Sequence, residues 1–150
     1  MDIRPLLLCL LLLAGCDKYS FAQFLVRPAN EVSSTTFAVP GDDRETVVAI
    51  LSAAAATGDF RNTTSQSHVP NTLVAFDENV EHFPVAIGAR VVKDQIVVDV
   101  IHFHPGFDDS RFEKMRDFIR AELKKSFGSR LSESAPERRI PLSAGSSNGA

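Results

Sequence analysis

The sequence predicts an α+β domain, a mainly antiparallel sheet of three or four strands with two helices packed on one face. Three observations carry this expectation. Two segments place apolar residues at helical spacing and each ends at a glycine. Two alternating apolar runs flank the dipeptide Lys93-Asp94. The segments follow one another in the order βαβββα. Composition agrees, since 44% hydrophobic and 23% charged residues in a chain of 150 lie close to the averages for globular domains. That length suits one domain. Sixteen basic against nineteen acidic residues leave no basic excess for a nucleic-acid surface.

A first strand is expected at residues 36–39. Asp42-x-x-Glu45 resembles a capping box, in which one side chain satisfies an exposed helix amide and the other reaches back. A helix over 43–57 follows, with Val47, Ile50, Leu51 and Ala54 on one face and Gly58 as its stop. The run of alanines from 53 to 56 suits close packing on a sheet. A short strand is expected over 72–76. Val85–Val92 and Gln95–Phe103 then form a hairpin about Lys93-Asp94, with Val92 opposite Gln95.

That register places Val85, Ile87, Ala89, Val91, Ile96, Val98 and Val100 on one face, which must pack on the helices. The other face carries Arg90 and Asp99, close enough diagonally to pair, among apolar and small residues. It is expected to be partly wet. In the second helix Ser110-x-x-Glu113 reads as a capping box, and Phe112, Met115, Ile119, Leu123 and Phe127 form the buried stripe. Lys124 and Lys125 suit the negative end of the helix dipole, and Gly128 ends the helix.

The ends have another character. Residues 17–35 show no sustained period and contain Pro28, Asn30 and a Ser/Thr cluster, the composition of a tether. Tyr19, Phe21, Phe24, Leu25 and Val26 are nevertheless apolar, so this stretch lies either on a bilayer or against the domain. Residues 129–150 are rich in Ser, Gly, Pro and charge and read as a disordered tail. The domain itself is assigned to 36–128.

At the N-terminus, Arg4 precedes a Leu-rich run from Leu6 to Leu13, followed by Ala14, Gly15 and Cys16. Spanning a bilayer core of ~30 Å takes about 20 apolar residues, so this run has the size of a signal peptide rather than an anchor. Leu13-Ala14-Gly15-Cys16 closely resembles the lipobox of bacterial lipoproteins. The resemblance covers the first 16 residues and implies removal of residues 1–15 and acylation of Cys16. The chain would then be anchored by its acyl chains in a bacterial cell envelope, facing the periplasm, with 16–35 as lipidated cysteine and tether. Asp17 resembles the inner-membrane retention residue of enteric lipoproteins. Cys9 leaves with the signal and Cys16 is consumed by the lipid, so the exported domain carries no thiol for nucleophilic or redox chemistry.

The remaining chemistry rests on histidines. His102 and His104 share a strand face, and two imidazoles so placed can converge on a metal. Asp77, Glu78, Glu81 and His82 are the available further ligands. His-x-His-Pro is similar to the motif of JAMM-type zinc hydrolases, in which a Ser and an Asp follow at fixed spacing. The corresponding positions here are Glu113 and Arg116, so the resemblance fails. The plainer reading gives His102 to the core edge and His104 to the turn before the second helix. Asp42-Asp43 and Asp108-Asp109 sit where helix N-termini favour negative charge. Elbow, zincin, dinucleotide and P-loop motifs are absent from the sequence.

The expected function is therefore that of a non-enzymatic, lipid-anchored envelope domain binding a protein or another envelope component, as an accessory subunit or an immunity or inhibitor protein. No cofactor, metal or nucleic acid is expected. The face around Arg90 and Asp99, or an edge strand, is the expected contact surface. The alternative is a small metal-dependent hydrolase or metal-binding protein using His102 and His104.

Overall fold

The computed structural model describes residues 32–67, 69–80, 84–103, 109–135 and 137–139. The lipobox with Cys16, Asp17, His68, Glu81, His82, His104, Asp108 and the end of the tail lie outside them. Along the described chain run β1 (Val32–Pro40), α1 (Arg44–Ala55), β2 (Phe60–Asn62), β3 (Thr72–Glu78), β4 (Val85–Val92), β5 (Gln95–Phe103), α2 (Ser110–Phe127), β6 (Ser132–Glu133) and β7 (Glu137–Arg139). All strand pairings are antiparallel, in the order β2-β3-β4-β5-β1-β6, with β7 also on β1. The class is α+β, as predicted.

The hairpin forms in the predicted register, with Val92 opposite Gln95 and Val85 opposite His102. Lys93 takes the turn at a φ of 55°. Both helices pack on the predicted face, where Val47, Leu51, Ala54, Ile119 and Leu123 meet Ile87, Ala89, Ile96, Val98 and Val100 at 0% exposure. The α2 stripe is buried throughout, from Phe112 to Phe127. Gly128 ends the helix at a φ of 56°, a left-handed conformation that glycine adopts without a Cβ penalty.

The sheet is larger than expected, with seven strands among the described residues instead of three or four. β1 begins at Val32, four positions inside the stretch assigned to the tether, and pairs with β5 from Val32 opposite Phe103 to Pro40 opposite Gln95. Its Ser/Thr run conceals the strand, because two of the four hydroxyl residues are interior ones. Ser34 and Thr35 are buried, and Thr36 Oγ1 donates a 2.7 Å hydrogen bond to Asp99 Oδ1. Threonine is also a good strand former once its hydroxyl is placed.

The start of the assigned tail is likewise ordered. Arg120 of α2 makes a two-pronged contact with Glu133 of β6, Nε to Oε2 at 2.9 Å and Nη2 to Oε1 at 2.6 Å. The Ser134 amide donates to the Thr36 carbonyl, and Leu131 packs against the core. These strands are two or three residues long, too short to show a period, and form because β1 offers them a free edge.

Neither capping box forms as drawn. The N-caps are Asp43 and Asp109, and neither side chain makes a capping hydrogen bond. The Asp109 carboxylate is engaged with His102 instead.

Candidate functional site

Alternation along β5 directs His102 to the helix side, at the end of the row Ile96, Val98 and Val100. The imidazole is fully buried. It stacks on Phe112 of α2, with ring centres 5.5 Å apart and planes 15° apart. Its Nδ1 lies 2.9 Å from Asp109 Oδ1. Nε2 meets no hydrogen-bonding partner among the described residues. Burial lowers the pKa of His102, and the Asp109 carboxylate opposes that shift without overcoming it. A carboxylate against Nδ1 is how a catalytic imidazole is oriented, but such a group must also reach a substrate. At 0% exposure His102 is enclosed within the fold. Among the described residues no group of three or more His, Cys, Asp or Glu side chains is placed to hold a metal.

A surface cleft of about 370 Å³ lies between α2, the turn after α1 and the β2–β4 part of the sheet. Phe60, Val85 and Met115 supply apolar walls, and Phe118 stands at the edge with 37% of its surface exposed. Glu78, Arg111 and Lys114 supply the polar groups. Arg111 Nη1 contacts Glu78 Oε1 at 2.6 Å, while Glu78 Oε2 accepts the Val85 amide at 2.9 Å. One carboxylate thus fixes both a strand end and a guanidinium at the cleft. Two cations against one carboxylate leave this site net positive. Its size falls at the lower end of ligand pockets.

Helical spacing explains how α2 serves both sides. Phe112, Met115 and Ile119 fall on the buried stripe, whereas Arg111, Lys114 and Phe118 fall one position off it, toward the cleft. An aromatic residue just outside a complete stripe was the available signal. The opposing wall comes from Phe60, in a three-residue strand that shows no period of its own.

The second sheet face departs from expectation. Arg90 and Asp99 do approach diagonally, Nε to Oδ2 at 3.5 Å. Yet Asp99, Asp77, Ala75, Ala86, Ile101 and Phe103 are all 2% exposed or less, so most of this face is an interior and not a wet contact surface. The physical reason is its composition, since Ala75, Ala86, Ile101, Phe103 and Val32 form a second apolar cluster. The sheet's outer strands are very short, with three residues in β2 and two or three in β6 and β7, so they offer little backbone for strand addition.

No described helix is long and apolar enough to cross a membrane. The chain matches no protein-family model and no curated protein.

Proposed function

We propose that this chain is a lipid-anchored envelope domain, held by acyl chains on Cys16, that works by binding a protein partner rather than by catalysis. The observation that carries the binding reading is the cleft beside α2. Its apolar walls and the half-exposed Phe118 favour an apolar segment, and Arg111 with Lys114 favours one carrying an acidic group. The occupant is therefore a peptide segment of an envelope protein with an acidic residue beside its apolar anchor. An accessory subunit and an immunity or inhibitor protein would both use such a site. The enclosed position of His102 supports a packing role for that residue over a metal-dependent one.

The test is crosslinked affinity capture from the membranes of the producing cell, with Cys16 intact, comparing wild type with Phe118→Asp and Lys114→Glu. Both side chains are exposed, so the fold should tolerate either change. A partner captured by wild type and lost, roughly tenfold or more, with each variant supports the reading, since 1.4 kcal/mol corresponds to that factor. Equal capture by all three chains overturns the cleft as the docking site. Native mass spectrometry showing a retained fatty acid or other anionic amphiphile would assign it to a small molecule instead.

A further inference from the structure

Most of the face of the sheet opposite the helices is buried, although both helices lie on the other side. Val32, Ile101 and Phe103 are 1% exposed or less, as are the small residues Ala75 and Ala86. Among the described residues this cluster consists of sheet residues, while α1 and α2 contribute to the helix-side core. Alanine in the middle of a sheet cannot shield itself from water, so a second layer must cover it.

We propose that this layer is the apolar segment Tyr19, Phe21, Phe24, Leu25 and Val26, so that the stretch read as a tether is a structural part of the domain. Continuity favours this occupant. Val32 belongs to the covered cluster, and residues 27–31, which include the turn-favouring residue types Pro28 and Asn30, precede it directly in the chain. Composition favours it as well. Five large apolar residues fall within eight positions here, whereas residues 140–150 offer only Ile140 and Leu142, residues 104–108 only Phe107 and residues 81–83 only Phe83. The Leu-rich run at 6–13 leaves with the signal on the lipoprotein reading.

The consequence for function rests on that same reading. Only Asp17 and Lys18 would separate the lipidated cysteine from the packed segment. At about 3.3–3.6 Å per residue, the domain is then held within roughly 10 Å of the bilayer, where a free stretch from Cys16 to Val32 would reach roughly 50 Å. The partner must be one that presents its segment at the membrane surface itself.

Disulfide trapping tests the packing. Ala75→Cys or Ala86→Cys is combined in the full chain with cysteine at 19, 21, 24, 25 or 26, and Leu142→Cys serves as the competing position. After mild oxidation, crosslinked peptides are identified by mass spectrometry. A disulfide requires Cα atoms within about 4.4–6.8 Å, so only neighbours on that face are captured. An intrachain bond from at least one of the five positions, independent of protein concentration, is the expected result. The proposal is overturned if none of the five forms a bond, if Leu142→Cys captures the reporter instead, or if bonds form only between chains. The mass of the Cys16 peptide in the same spectra shows whether it is acylated, so failure of the lipid reading is seen separately.

Discussion

His102 shows how one side chain can be at once the most suggestive residue in a sequence and a packing element in the fold. Its position was legible, because alternation along Gln95–Phe103 directs it to the helix side where the apolar row ends. Its partner was not, because Asp109 reads as a helix cap and only the approach of α2 to β5 turns its carboxylate toward the imidazole. The lowered pKa has a definite consequence for stability. A histidine whose folded-state pKa lies below its unfolded value of about 6.5 binds fewer protons in the folded state. Stability is then complete above that pH and falls as the pH drops through 6.5 toward the folded pKa, by up to about 1.4 kcal/mol per pH unit. Urea unfolding of wild type and His102→Phe should show it. The variant keeps the stack on Phe112 and should lose less stability than wild type between about pH 7 and pH 5. Equal slopes would remove His102 as the titrating group.

Secondary-structure elements followed their patterns where the pattern was long. The two helices and the hairpin stand where helical spacing and alternation put them, because each buries one continuous apolar face. Short elements escaped, since two or three residues of β2, β6 or β7 carry no period and depend on a neighbour's free edge. The turn after β1 was also invisible. Gly41 donates its amide to the Asp94 carbonyl at 2.9 Å, and a Cβ built on it would lie 2.9 Å from that same oxygen. Backbone cannot retreat as a flexible side chain can. Gly41→Ala should therefore destabilise the domain by about 1–3 kcal/mol, measured by denaturant unfolding. Gly128→Ala should destabilise by a similar amount, about 1–3 kcal/mol, through backbone strain alone, since φ 56° with ψ −123° lies outside the regions open to L residues and no atom lies within 4 Å.

At the scale of the whole molecule, the sheet is buried on the helix face and over most of the other face. A partly wet second face would tolerate truncation, whereas a covered one would not. Ile101→Ala should thus destabilise by about 2–5 kcal/mol, comparable with Ile119→Ala on the helix side. Thermal and urea unfolding of the two variants side by side would check this, and a near-neutral Ile101→Ala would mean that water reaches that face. The cleft belongs to the same scale, because its walls come from β2, β4 and α2, segments far apart in the chain. No local motif could have announced it beyond Phe118 lying off the stripe.

By itself the sequence determined the α+β class, both helices, the hairpin register and the face the helices cover. Each of these follows from periodic burial within one continuous segment. Tertiary structure alone decided that the Ser/Thr run from Ser33 to Thr36 is an interior strand, that Asp109 serves His102, and that Arg120 draws Glu133 onto the sheet edge. These depend on what a distant part of the chain offers to a polar group, a carboxylate or an unpaired backbone edge. Such offers exist only after the chain has closed on itself.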